Sequence, residues 1–164
     1  GLQRAVGLAA LALGVMQLIG AASGGKDGLQ PLAHFASSRA AAASASEIGF
    51  TKVRSVAELD QILATSGRPV MLDFYADWCV SCKEMERFTF SDPAVQARLR
   101  GALLLKADVT ANSADDKALL KRFGLFGPPG TIFFGKDGQE IASARLVGFQ
   151  SARDFEKTLE RAGL

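Results

Sequence analysis

The stretch MLDFYADWCVSCKEMERF, Met71 to Phe88, holds both cysteines of the chain, Cys79 and Cys82. Such a pair can clip a metal, staple a loop or shuttle electrons. The residues before it, PVMLDFYA, form a nearly continuous apolar run, the mark of a central strand covered on both faces. The residues after Cys79 read as a helix running toward Phe90. The pair therefore falls where a strand turns into a helix, and free backbone N–H groups and the helix dipole there favour a thiolate at Cys79. Cys82, one turn further in, is placed to attack a mixed disulfide formed at Cys79. Two cysteines are half of a zinc site, and the chain has no second CxxC and no histidine near them. One pair cannot build the disulfide framework of a small secreted scaffold either. The position favours a redox couple.

Working outward, strand-like and helix-like segments alternate. FTKVRS reads as a short edge strand. VAELDQILATS places Val56, Leu59, Ile62 and Leu63 on one helical face, and SGRP stops it. SDPAVQARLR restarts the helix after the CxxC, with Ser91 or Asp92 as its cap and Pro93 in its first turn. ALLLKADVT reads as a second buried strand and SADDKALLKRF as a helix capped by Ser113. TIFFGKDGQEIASARLVGF reads as two strands around a Lys-Asp-Gly turn, and SARDFEKTLERAG as a closing helix. The order βαβαβαββα predicts an α/β protein with a mixed sheet.

The 164 residues allow one full hydrophobic core with appendages. The net charge of +2 is small and the basic residues are scattered, so no nucleic-acid footprint is present. Residues 5–22, AVGLAALALGVMQLIGAA, carry no charge and follow Arg4. As a helix they would span roughly 27 Å at about 1.5 Å per residue, near the lower limit for crossing a bilayer. A secretory signal peptide is the rival for this segment. Either way Arg4 stays in the cytoplasm and the rest emerges on the other side. Residues 23–46 are rich in Ala, Ser and Gly and read as a flexible linker, with His34, the only histidine, as a solvated linker residue. The expected domains are thus a transmembrane helix over 1–22, the linker over 23–46 and the folded domain over 47–164.

The WCVSC pair, the acid in the strand before it and the proline in GPPGTIFF, set in that element order, resemble a thioredoxin fold, three α/β/α layers around the mixed sheet. More closely, MLDFYADWCVSCKEMERFTFSDPAVQ, LLLKADVTAN and ALLKRFGLFGPPGTIFF resemble the C-terminal domain of the DsbD-type thiol:disulfide interchange proteins. The likeness covers about residues 50–164. In that family a last transmembrane helix and a linker precede the domain, which favours a membrane helix for 1–22. The resemblance makes Pro129 the cis-proline beside the active site, where adjacent backbone can pair with a partner's extended segment. Gly130 departs from the pattern, since thioredoxin-like proteins often carry Thr there, and this implies looser pairing. Trp78 and Tyr75 are assigned to the docking surface, although packing alone would also explain Tyr75.

Asp73 interrupts the apolar run, and an ionisable group in a central strand is expensive unless paired or kept neutral. In thioredoxin-like proteins the matching acid lies behind the CxxC. Glu86 follows Cys79 and Cys82 at helical spacing of three and four, so the three share a face. Two acids near the thiols would raise the Cys79 pKa against the helix dipole, and Val80-Ser81 supplies no cation to offset them. Lys83 and Arg87 are near in sequence, but only geometry decides which side they face. A CxxC without a strongly stabilised thiolate is a reductant rather than an oxidant.

The resemblance also implies a pathway. Reducing equivalents come ultimately from NADPH through cytoplasmic thioredoxin, cross the bacterial inner membrane in the membrane domain, and reach this domain in the periplasm. It then reduces the N-terminal periplasmic domain of the same protein, and electrons go on to disulfide isomerases and the cytochrome c maturation thiol protein. No bound cofactor and no metal are implied. The rivals are a self-contained, membrane-anchored thioredoxin-like protein for cytochrome c biogenesis, and a non-catalytic tethered binding module with a static disulfide.

Overall fold

In the computed structural model, residues 49–164 are described, with Arg4, Val6 and Gly7 before them. The transmembrane helix and linker expected over 1–46, with His34, otherwise lie outside the described residues. Among the described residues no helix is long and apolar enough to cross a membrane. The chain divides into two units, Gly1–Ser46 and Glu47–Leu164, and the sheet belongs to the second.

The second unit runs β1 (Thr51–Lys52), α1 (Val56–Thr65), β2 (Val70–Tyr75), α2 (Val80–Met85), a π turn (Glu86–Phe90) and α3 (Pro93–Leu99). It continues through β3 (Leu103–Asp108), α4 (Ala114–Arg122), β4 (Gly130–Phe134), a 3-10 turn (Ala142–Ala144), β5 (Leu146–Val147) and α5 (Ala152–Arg161). The five strands lie in the order β1-β3-β2-β4-β5. β3 is parallel to β1 and β2, whereas β4 runs antiparallel to β2 and β5. The sheet is mixed, as expected, with β2 at its centre.

Local chemistry sets the helix starts. Ser55, Asp92 and Ser151 each accept a backbone N–H of the first turn of α1, α3 and α5. Ser113 and Asp116 cap α4 reciprocally, closing two orphan donors at once. Alternation along β2 then divides the core. Val70, Leu72 and Phe74 join Leu59, Leu63, Leu119 and Phe123 beneath α1 and α4. Met71 joins Met85, Val95, Leu99, Phe133, Phe155 and Leu159 beneath α2, α3 and α5. Each large side chain fully buried in this way contributes about 1.5–3 kcal/mol, so losing either layer would unfold the sheet.

One segment departs from expectation. After β4, Gly138 N–H returns to the Gly135 carbonyl at 3.0 Å and Gly138 takes a φ of +73°, making the anticipated turn. The second strand does not follow directly. Only an isolated bridge joins Phe134 to Glu140 before the 3-10 turn intervenes, and β5 is two residues long. The ladder breaks because Ala144 is turned into the core against the α5 layer. Arg145, next in sequence, is drawn to the Glu140 carboxylate and the Phe123 carbonyl at 2.8 and 2.7 Å.

Candidate active site

The end of β2 delivers the cysteines. Cys79 N–H donates to the Ala76 carbonyl at 3.0 Å, and the link between them is tied to the segment after β3. Asp77 N–H donates to Thr110 Oγ1 at 2.9 Å, Trp78 Nε1 donates to the Thr110 carbonyl at 3.3 Å, and Thr110 Oγ1 donates to Asp108 Oδ1 at 2.6 Å. Thr110 thus holds the approach to Cys79 by backbone and side chain together. Cys79 is the N-cap of α2 in an extended conformation, and its Sγ receives the Cys82 N–H at 3.1 Å. The two form a disulfide. Both residues are nearly buried, at 6% and 3% exposure, yet Val80 between them is 71% exposed, so attack is restricted to one edge of the pair.

Behind the disulfide, Cys82 Sγ lies 3.8 Å from the Phe74 carbonyl oxygen, and Asp73 is the preceding residue. Asp73 is buried on the α2 side of the sheet, between Lys106 of β3 and Thr131 of β4 in register. Burial pushes its carboxyl up to about 7. The Lys106 ammonium opposes the rise, the Glu86 carboxylate adds to it, and the Thr131 hydroxyl lowers it slightly. A carboxyl poised near neutrality, on the residue before the carbonyl that meets Cys82 Sγ, is of the kind that takes or returns a proton during exchange.

Glu86 begins the π turn, which is anchored by Thr89 Oγ1 on the Gln150 carbonyl and by Gln150 N–H on Met85 Sδ. Single π turns of this kind recur at functional sites. Glu86 Oε1 sits 2.6 Å from Lys106 Nζ, so its charge is paired rather than free to act on the thiols alone. Lys83 and Arg87 face solvent, with Arg87 5.3 Å from the Phe88 ring centre. Tyr75 is half-buried, its ring 4.7 Å from Lys106 Nζ and its hydroxyl donating to Asp77 Oδ1 at 3.1 Å. Burial, then the hydrogen bond to Asp77 and nearby carboxylates, push its phenol up to about 12, so it stays protonated. Tyr75 thus packs against Lys106 while part of its surface stays exposed. Trp78, by contrast, is 61% exposed beside Cys79.

The Pro128–Pro129 peptide is cis. Neither proline has an N–H, so this stretch can offer only carbonyls, and that of Pro129 already accepts Gly148 N–H at 3.0 Å. Gly130 is paired on both sides, with Phe74 and Val147, and is not available to a partner. A Cβ there would stand 2.8 Å from Leu125 Cδ1, and this close approach explains the glycine. Fully exposed Phe126, two residues before Pro128, was not singled out from sequence, although a phenylalanine between glycines in a turn-rich loop was a signal. Trp78 and Val80, which flank Cys79, and Val147 and Phe149, after the β4–β5 pairing at Gly130, are exposed apolar side chains as well. Lys106 and Thr110 also join the site without being predicted from sequence. Lys106 carried the same signal as Asp73, a charge inside an apolar strand, whereas nothing local marked Thr110.

A thioredoxin-like domain model matches residues 57–163. The thiol:disulfide interchange protein DsbD of Ralstonia nicotianae is 53% identical over 165 residues, covering 98% of this chain and 27% of that protein. The DsbD protein of Cronobacter sakazakii is 51% identical over 127 residues, 77% of this chain and 22% of that one. The chain therefore spans about a quarter of the length of the curated relatives it matches. Among solved structures, the oxidised C-terminal domain of Neisseria meningitidis DsbD superposes with a TM-score of 0.58 at 39% identity, covering 68% of this chain and 99% of that domain. A disulfide at a strand–helix junction, a buried acid one residue from the strand carbonyl that meets it, and a cis-proline across the sheet end agree with these likenesses: the chain belongs to the thioredoxin-like family, in the group of DsbD C-terminal domains.

Proposed function

We propose that this domain is a protein-disulfide reductase. It receives electrons from a membrane domain and passes them to a periplasmic partner disulfide. The observation that carries this is the nearly buried Cys79–Cys82 disulfide at the start of α2, with Asp73 fully enclosed behind it. In the reduced state, Cys79 thiolate attacks one partner sulfur and the other partner sulfur leaves as a thiolate. The Cys82 thiolate then attacks Cys79 Sγ, re-forming the Cys79–Cys82 disulfide and releasing the second partner thiol. Two electrons move to the partner, and the Asp73 carboxyl accepts the proton that Cys82 loses. A negative Asp73 disfavours thiolate nearby, so the dithiol holds its electrons loosely and the domain donates them.

Identity that extends over 98% of this chain, including the apolar segment, supports an inner-membrane setting with the thioredoxin-like domain in the periplasm. The membrane domain recharges the disulfide with equivalents drawn from NADPH through cytoplasmic thioredoxin. The immediate acceptor is the N-terminal periplasmic domain of the same protein, and disulfide isomerases and cytochrome c maturation thiol proteins lie downstream. No bound cofactor takes part.

The decisive experiment is the equilibrium reduction potential against a glutathione or dithiothreitol series, with the Cys79 thiol titrated on the same sample. A potential far below the roughly −120 mV of a strong periplasmic oxidant is expected. Asp73→Asn should lower the thiol pKa by about one unit, raising alkylation at pH 7 roughly tenfold. A high potential with an acidic Cys79 would reverse the direction of electron flow. Cys82→Ser should trap the partner as a mixed disulfide on Cys79.

A further inference from the structure

Helix α4 ends in a turn that sets apolar surface beside positive charge. Gly124 N–H donates to the Lys121 carbonyl at 3.1 Å and Leu125 N–H to the Leu120 carbonyl at 2.9 Å, with Gly124 at a φ of +62°. This paired closure stops the helix and turns the chain back on itself. Leu125 is thereby carried into the core, and Phe126, next in sequence, is left fully exposed. Leu120, Leu125 and Phe126 line a hollow of about 390 Å³, together with Lys117 and Lys121.

The charge lining this hollow is of one sign. Lys117 and Lys121 stand four positions apart on one helix face, both exposed. Among the described residues neither pairs with a carboxylate, and no carboxylate lines the hollow. The acids of α4 are turned elsewhere. Asp115 and Asp116 line a separate hollow with Lys52 and Arg54, and Asp116 Oδ2 accepts the Ser113 N–H at 2.7 Å. Arg122 is taken by Asp60 at 2.6 Å. The helix dipole favours Lys121 in the last turn but gives no reason for Lys117. The hollow is also continuous with the cysteine end. From Phe126 the chain runs through Gly127 and the two prolines into Gly130, the register partner of Phe74, whose carbonyl lies 3.8 Å from Cys82 Sγ.

We propose that this face of α4 holds an acidic, apolar segment of the protein whose disulfide the domain reduces, with apolar side chains in the hollow beside Phe126 and carboxylates on Lys117 and Lys121. The inference rests on the reductase function above and adds the chemistry of the partner. Apolar contact supplies the affinity. The lysines, whose exposed ion pairs are individually weak, supply selection by charge, so a basic segment of the same shape is disfavoured.

The test is fluorescence anisotropy of short labelled, cysteine-free peptides on the oxidised full chain. The probes are an alternating leucine–glutamate peptide, its leucine–lysine counterpart and its serine–glutamate counterpart. The first should bind about tenfold tighter than either of the others. Lys117→Ser/Lys121→Ser should weaken it by about fivefold. Arg100→Ser/Lys136→Ser removes as much charge away from the hollow and should change little. Lys117→Glu/Lys121→Glu should invert the preference between the glutamate and lysine peptides. That preference is a ratio read on one sample, so it decides the matter even if the variant folds incompletely. Equal binding of the two peptides, an equal effect of the two serine pairs, or no binding at all overturns the proposal. Self-association of the chain that Phe126→Ser abolishes, seen by sedimentation, would give the hollow to a second copy and overturn it as well. The same peptides extended by a cysteine bridged to a chromogenic thiol report turnover by the reduced chain. Charge-selective binding without turnover removes the reductase function and leaves the hollow, whereas equal turnover of both peptides without binding removes the hollow alone.

Discussion

Asp73 on β2 and Thr131 on β4 are register partners across the antiparallel ladder, and Thr131 Oγ1 stands 3.4 Å from Asp73 Oδ1. That is a long contact for two oxygens, too weak to replace the hydration that the carboxylate loses on burial. Burial therefore dominates and raises the pKa from 3.8 to about 7. The folded state binds the Asp73 proton more tightly than the unfolded state does. Stability from this group is complete below about pH 4 and is lost as pH climbs toward 7. Asp73→Asn should make the oxidised chain more stable at pH 8, by at most about 4 kcal/mol, with little change at pH 4. Urea denaturation at the two pH values measures this. An equal effect at both would mean that Asp73 is not titrating in this range.

Phe126 carries an aromatic ring fully into solvent beside Pro128 and the cysteine end of the sheet. An exposed ring adds little to the stability of the free domain, and a role for it in partner docking has a specific expected outcome. Phe126→Ser should leave the unfolding midpoint unchanged, and exchange with small thiols such as dithiothreitol as well. Reduction of a protein disulfide should slow by about fivefold or more, equivalent to roughly 1 kcal/mol. Parallel stopped-flow measurements with dithiothreitol and with the protein disulfide make the comparison, and equal slowing with both would count against a docking role.

Gly130 and Leu125 meet so closely that an added methyl would lie 2.8 Å from Leu125 Cδ1. Gly130→Ala forces that leucine out of its place in the core and should cost about 1–3 kcal/mol. Combining it with Leu125→Ala removes the clash, so the double variant should be less destabilised than the sum of the singles. A denaturation double-mutant cycle reads this directly.

Thr110 Oγ1 both accepts the Asp77 N–H and donates to Asp108. Thr110→Val keeps the shape and removes both bonds, at a cost of about 1–3 kcal/mol. Because Asp77 and Trp78 lead into Cys79, the difference in Trp78 fluorescence between the disulfide and dithiol forms of the chain should shrink as well. An unchanged difference would show that the Trp78 Nε1 bond to the Thr110 carbonyl is enough to hold the approach.

Much of this molecule could be read along the chain. The CxxC at a strand–helix junction, the caps at Ser113 and Asp92, and the burial of Asp73 all follow from residue types within a few positions of one another. Helix caps, turns and side-chain periodicity are local in origin, so a single sequence displays them. The interrupted ladder after β4 could not be read this way. It depends on Ala144 finding the α5 core and Arg145 finding the Phe123 carbonyl, 22 positions away. Glu86 and Lys106, 20 positions apart, looked like an acid on a helix and a misplaced lysine in a strand. They became an ion pair when β3 came to rest beside β2 and the π turn crossed the same face. Sequence determined where the redox chemistry resides and which acid lies behind it. Tertiary structure decided which charges there remain unpaired, because Coulomb interactions depend on distances between strands and helices that no local pattern records.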